Sequence, residues 1–286
     1  MESQPDTSPA LPTLPESGPA LWAALAGHGA VSLSDEQSAS LSRYLDLLLA
    51  GNEAMNLTRI TDRAAAEVQH VADALTLLPF LPAGPFRLAD VGSGGGVPGI
   101  PLAIARPDAQ VLLIESTRKK AHFLRQTVAA LGLANVRVTE ERAEDIGQVK
   151  AGSMGSTDST SSPRASPRRA GSPQASSSPA ADERRVREGF DVAVARAVAT
   201  MVWLAEWCLP LVKKGGRMLA MKGPKVIEEL PAAAKAIRLC GGGEPVRHAV
   251  ALPGAQNHLI VEIAKTGRTD SRYPRPATQA KGRPIT

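Results

Sequence analysis

The 286 residues suffice for one large core or two small ones, and 43% hydrophobic with 21% charged residues is an ordinary globular balance, which excludes disulfide-stapled mini-scaffolds. With only 4 Phe, 3 Trp and 2 Tyr, the core must be built from Ala, Leu and Val, and base stacking on aromatic platforms is not expected. The net charge of +5 is uneven: residues 1–20 sum to −3, residues 147–188 to +3 and residues 265–286 to +5, which leaves a neutral body. A basic C-terminal tail suits a phosphate-rich partner, or serves solubility alone.

Cys208 and Cys240 lie in apolar stretches without CxxC spacing, the pattern of reduced core thiols in a cytoplasmic protein. Met1 to Asp6 carries no basic n-region, and the most apolar stretch, Ala197 to Val212, is broken by Glu206 and Pro210, so neither a signal peptide nor a membrane span is predicted.

Pro/Ser-rich residues 1–18 read as disordered, and so does an insertion at 151–187 that holds 10 Ser, 6 Ala, 4 Pro and 3 Gly with little to bury. Residues 19–84 read as a helical cap. Ser34-Asp35-Glu36-Gln37 is a capping box, Leu41, Tyr44, Leu45 and Leu48 follow at helical spacing, and Gly51 is expected to stop that helix. A second helix is predicted over Asp62 to Leu78, ended by Pro79.

From 85 to 264 strand and helix patterns alternate. Strands are predicted at Arg87–Val91, Gln110–Glu115, Val136–Thr139, Phe190–Ala195 and Arg217–Lys222. Helices are predicted at Ile100–Ala105, Arg118–Leu131, Arg142–Ile146, Thr200–Val212 and Lys225–Leu239. Two closing strand-like runs, Pro245–Leu252 and Asn257–Ala264, flank Pro253-Gly254 and read as an antiparallel pair. The fold class is therefore α/β, a doubly wound, Rossmann-like sheet with a reversed edge hairpin.

The chemistry concentrates at strand ends. Asp90 to Gly99 reads DVGSGGGVPG between a strand and a helix, where Gly92, Gly94, Gly95 and Gly96 let backbone approach a ligand at a helix N-terminus. Gly94-x-Gly96-x-x-Gly99 also satisfies GxGxxG, so a nicotinamide dehydrogenase stays open as an alternative. Glu115 closes the second strand, where a carboxylate accepts from ribose hydroxyls. Arg142-Ala143-Glu144-Asp145 follows the third and offers an acceptor for an adenine amino group beside the Ala143 backbone.

Together with Asn56-Leu57-Thr58, His70-x-x-Asp73, Glu115-Ser116-x-x-Lys119-Lys120-x-x-Phe123-Leu124, Ala195-Arg196-Ala197, Met221-Lys222-Gly223 and Tyr273-Pro274-Arg275, these segments resemble the bacterial glucose-inhibited division protein B family. That family is the 16S ribosomal RNA guanine-N7 methyltransferases of the small subunit. The resemblance spans Leu33 to Ile146 and Phe190 to Ile285, with departures at Glu53, Gln69, Ala74 and Gln256-Asn257. It implies a class I methyltransferase that uses S-adenosyl-L-methionine, with cofactor contacts at Gly92, Val97, Ala143, Glu144 and Arg196, to which the glycine loop and the strand-end carboxylate add Gly94 and Glu115, and 16S ribosomal RNA or the small ribosomal subunit as partner.

A cytoplasmic monomer is expected. Guanine N7 has its own lone pair, so methyl transfer needs no general base, and none of the histidines, His28, His70, His122, His248 and His258, stands in metal-ligand spacing. No metal is expected, and no residue is assigned a catalytic role. Arg196 reads either as a donor to guanine O6 or as a clamp on the methionine carboxylate, and Lys222 as an RNA-phosphate contact or an edge lysine. The Pro-spaced arginines of 265–286 read as extended charge for RNA, anchored at Tyr273-Pro274. A non-catalytic RNA-binding factor in ribosome assembly is the remaining alternative.

Overall fold

The computed structural model describes residues 14–148, 186–253, 255–280 and 282–285. The cap begins with α1 (Gly18–His28) and α2 (Asp35–Met55). The capping box forms as predicted: Ser34 Oγ accepts from the Gln37 N–H at 3.1 Å, and Gln37 Oε1 accepts from the Ser34 N–H at 2.9 Å. The Gln37 side-chain amide also donates to the Ile104 carbonyl at 2.7 Å, so the same residue starts the helix and ties it to the domain.

Gly51 does not stop α2, which runs on to a left-handed Asn56. A Cβ on Gly51 would stand 2.5 Å from Phe123 Cε2, so this glycine serves close helix packing. The helix expected over 62–78 is interrupted. It consists of α3 (Arg63–Ala66), a π-helical turn over Glu67–Ala72 and α4 (Asp73–Leu75). π turns concentrate at functional sites, and this one carries Gln69 and His70.

The body comprises β1 (Phe86–Val91), α5 (Gly99–Ala105), β2 (Ala109–Ile114), α6 (Arg118–Leu131), β3 (Val136–Thr139), α7 (Ala143–Ile146), β4 (Phe190–Arg196), α8 (Met201–Cys208), β5 (Val212–Lys222), α9 (Val226–Leu239), β6 (Val246–Leu252), β7 (Ala255–Ala264) and α10 (Ala277–Ala280). Sheet order is β3-β2-β1-β4-β5-β7-β6, parallel through β5, with β7 antiparallel to both neighbours. The predicted helix over 200–212 ends at Cys208, because Pro210 removes a backbone donor and a short 3₁₀ turn (Leu209–Leu211) leads into β5.

Alternation along the strands builds two cores. Leu88, Val192, Val194 and Leu219 face the cap, α5 and α6, whereas Ala89, Ala193, Ala195 and Ala220 face α8 and α9. Small residues on the second face let those helices lie close to the sheet. Cys208 and Cys240 are buried there, unbridged, and burial raises both thiol pKa values.

The insertion lies outside the described residues except Val186 and Arg187, which belong to the fold. Arg187 donates to the carbonyls of Gly147 at 2.9 Å and Tyr273 at 2.6 Å. Of the N-terminal tract, Leu14 packs against the core.

The basic C-terminal segment is not an extended strand of charge. Lys265 is fully buried, its ammonium donating to Leu209 O and Cys240 O at 2.7 Å each, and Ile285 is buried as well. Arg275 forms a bidentate pair with the buried carboxylate of Glu206, Nε–H to Oε1 at 2.8 Å and Nη2–H to Oε2 at 2.7 Å. Apolar burial and carboxylate pairing outweigh the solvation that charge alone favours for such a segment.

Candidate active site

The glycine loop leaves the carboxyl end of β1, beside the switch point where β1 pairs with both β2 and β4. Gly92 has φ +74°, and a Cβ there would meet Val198 Cγ2 at 2.7 Å; Gly96 has φ +98° and would meet Ile100 Cδ1 at 2.5 Å. Both positions require glycine on conformation and on space. Ser93 Oγ donates to Asp90 O at 3.0 Å and accepts from the Ile114 N–H at 3.1 Å, which binds the loop to β2. The cap reaches the loop through the buried Tyr44, whose hydroxyl donates to the Gly95 carbonyl at 2.9 Å.

Glu115, just beyond β2, turns its carboxylate toward backbone: Oε2 accepts from the Gly94 N–H at 3.0 Å and Oε1 from the Thr117 N–H at 2.7 Å. Each oxygen keeps a further lone pair for a ligand. Glu144 at the start of α7 is buried, its pKa raised by desolvation, with the Arg142 guanidinium 3.7 Å away.

Arg196 ends β4 inside a network with the cap. It donates through Nη1 to Gln69 O and to Asp73 Oδ2, the latter at 3.2 Å, and through Nη2 to His70 Nδ1 at 3.0 Å. His70 Nε2 lies 3.0 Å from Thr58 Oγ1, and Asp73 Oδ1 lies 3.1 Å from His258 Nδ1. Burial, with the Arg196 guanidinium beside it, pushes the His70 pKa down to about 4. The ring is neutral near pH 7.

The Lys222 ammonium donates to Ala199 O at 2.9 Å and pairs with Glu229 at 2.8 Å, so it closes the β5–α9 connection.

All seven residues singled out for the cofactor, Gly92, Gly94, Val97, Glu115, Ala143, Glu144 and Arg196, line one cleft of about 1390 Å³. The opposite wall comes from the cap loop, including Asn56, Thr58 and Arg59, and from the β7 residues His258 to Ile260. Asp90 carried no expected role; its Oδ2 accepts from the Gly99 N–H at 3.1 Å while Oδ1 has no partner among the described residues. Burial pushes its carboxyl up to about 7. Asp90 is buried beneath the glycine loop and is not among the residues lining the cleft, so it supports the loop from behind. A bound cofactor fits at Gly94, where a Cβ would meet nothing nearer than Gly92 O at 3.9 Å and the backbone is open to approach.

A family model described as "rRNA small subunit methyltransferase G" matches residues 37–155 and 178–260. The chain belongs to that family. A "Ribosomal RNA small subunit methyltransferase G" of Moorella thermoacetica is 38% identical over 268 residues, 93% of this chain and 97% of the relative. One of Chloroflexus aggregans is 36% identical over 255 residues, covering 89% and 93%. Among solved structures, cofactor-bound Rv0187 from MTB aligns at 18% identity with a TM-score of 0.46, covering 79% of this chain and 91% of the other.

Family membership makes the protein an S-adenosyl-L-methionine-dependent methyltransferase of 16S ribosomal RNA, with the α/β methyltransferase fold that the sequence implied. The nicotinamide alternative falls with that membership. No helix among the described residues is long and apolar enough to cross a membrane.

Proposed function

We propose that the chain methylates N7 of a guanine in 16S ribosomal RNA, acting as a cytoplasmic monomer on free RNA or on the small subunit, and that Gly92, Gly94, Val97, Glu115, Ala143, Glu144 and Arg196 hold the cofactor. The observation that carries this reading is their convergence on one cleft with the cap as its far wall. At about 1390 Å³ the cleft exceeds the roughly 300–1,000 Å³ of ordinary small-molecule sites, which leaves room for a base beside the cofactor.

When bound, S-adenosyl-L-methionine supplies a methyl group activated on a positively charged sulfur. The remaining lone pairs of Glu115 suit ribose hydroxyls, and Glu144, with the Ala143 backbone, suits an adenine amino group. Arg196 retains Nε–H and one Nη2–H for the methionine carboxylate. Guanine N7 attacks with its own lone pair, so the protein orients the reactants and excludes water, and no side chain has to remove a proton. A neutral, hydrogen-bonded His70 fits that absence. A-form RNA hides N7 in a deep, narrow groove, so the target must be unpaired or splayed.

The deciding experiment transfers labelled methyl groups to small subunits from a strain lacking the endogenous enzyme, with the product identified by mass spectrometry. N7-methylguanine at one position is expected. RNA binding without incorporation would make the chain an assembly factor.

A further inference from the structure

We propose that Thr58 selects guanine over adenine by donating its hydroxyl proton to guanine O6, with the direction of that hydrogen bond fixed by the chain Arg196–His70–Thr58. The inference rests on the methyl-transfer reading above and adds the residue that recognises the base.

The polarity follows from donor and acceptor counting. A guanidinium carries only donors, so Arg196 Nη2, 3.0 Å from His70 Nδ1, donates and Nδ1 accepts. A neutral imidazole with Nδ1 accepting carries its proton on Nε2. That Nε2–H, 3.0 Å from Thr58 Oγ1, therefore donates to the hydroxyl oxygen. The Ile60 N–H donates to the same oxygen at 3.1 Å.

A hydroxyl oxygen has two acceptor lone pairs, and both are now used. What Thr58 can still offer is its O–H. The residue is half-buried in the cleft wall, and its own N–H is held by Asn52 Oδ1 at 2.7 Å, so the donor sits on fixed backbone.

A donor of fixed direction reads the edge that the reaction exposes. Guanine presents N7 and O6, both acceptors, whereas adenine presents N7 and an N6 amino donor. N7 must keep its lone pair for the methyl group, so the donor belongs to the atom beside it. O6 satisfies Thr58, while an adenine amino group would meet it donor to donor and leave both hydrogens unpaired in a closed site. Arg196 and His70 are positioning residues in this scheme, since they set which way the Thr58 proton points.

The test is a cycle of enzyme against substrate. Small subunits are reconstituted with 16S ribosomal RNA carrying guanine or 2-aminopurine, which keeps N7 and lacks O6, at the target. Loss of O6 is expected to lower kcat/KM about tenfold for the wild type and about twofold or less for Thr58→Val. Thr58→Ser keeps the hydroxyl and should retain the wild-type ratio. A purely structural Thr58 would lower both rates of Thr58→Val by the same factor, and an unchanged ratio overturns the proposal.

Nitrogen-15 NMR of the full chain gives a readout independent of activity: His70 should carry its proton on Nε2, and an Nδ1–H tautomer overturns the scheme. If the wild type fails to methylate guanine at all, the methyl-transfer reading falls and this proposal with it, an outcome distinct from an active enzyme with an unchanged ratio.

Discussion

Asp90 gives Oδ2 to the Gly99 N–H at 3.1 Å and holds Oδ1 buried with no partner among the described residues. An unmet buried acceptor costs about 1–3 kcal/mol, more if charged. Asp90→Asn keeps an acceptor for Gly99 and removes the buried charge, so at pH 8 it is expected to raise the Tm by a few degrees while leaving S-adenosylhomocysteine affinity within about twofold of wild type. Differential scanning fluorimetry and titration calorimetry measure the two effects. A fall in Tm would show that the loop needs the carboxylate itself, and a loss of affinity at unchanged Tm would bring Asp90 into the site.

Stability should depend on pH through Asp90 and His70 with opposite signs. Burial holds the Asp90 carboxyl at about 7, so between about pH 4 and 7 the folded protein keeps a proton that the unfolded chain releases, and stability falls as pH rises. His70, pushed down to about 4 by burial and Arg196, behaves oppositely. Between about pH 4 and 6.5 the unfolded chain binds a proton that the fold refuses, so stability rises with pH. Asp90→Asn should unmask the His70 slope, and its stability gain over wild type should grow from about pH 4 to 7 and level off above. Denaturant melts across that range decide; a gain independent of pH contradicts the assignment to Asp90.

Two glycines of the loop should separate folding from binding. Gly92→Ala adds a methyl 2.7 Å from Val198 Cγ2 at φ +74° and is expected to cost about 2–4 kcal/mol, part of it recovered by Val198→Ala in the same chain. Gly94→Ala meets nothing nearer than 3.9 Å, so only its φ of +56° costs stability, about 1–2 kcal/mol. Its methyl would narrow the cleft, and affinity for S-adenosylhomocysteine should drop more than stability does. Equal losses at both positions would show that the loop is purely structural.

Much of this architecture was legible because it rests on period and punctuation. The β3 and α6 boundaries coincide with the predicted ones, since Gly132 ends α6 and the Val136–Thr139 run is short and β-branched. The seven positions proposed for the cofactor follow the carboxyl ends of strands, which the alternation located.

What stayed hidden depends on contacts between residues distant in sequence. Gly51 looked like a helix stop because its partner, Phe123, lies on α6, far along the chain. The π turn at Glu67–Ala72 and the Arg196–His70–Thr58 chain need the cap docked on β4 before they exist. That Arg275 is pinned to the fold stayed hidden for the same reason, because Glu206, the carboxylate that claims it, sits on α8, while Arg268, Arg272 and Arg283 stay exposed.

That pair yields the last prediction. Glu206 is fully buried, and its carboxylate accepts the Arg275 backbone N–H at 2.9 Å as well as the two guanidinium bonds, so among the described residues one residue of the tail supplies all of its side-chain hydrogen bonds. Removing one partner of a buried ion pair typically costs about 3–5 kcal/mol, because the remaining charge stays desolvated. Arg275→Met should therefore lower stability by about that amount, and truncation after Gly267 by at least as much, since it also strips Thr269 from the Lys265 ammonium. Replacing both members, Glu206→Leu with Arg275→Met, removes the buried charge altogether and should recover a large part of the loss. Urea melts of the four proteins decide the matter. A truncated chain as stable as the full one would return the segment to the role of a loose basic extension, and a double variant no better than Arg275→Met would show that the pair contributes through packing geometry and not through charge.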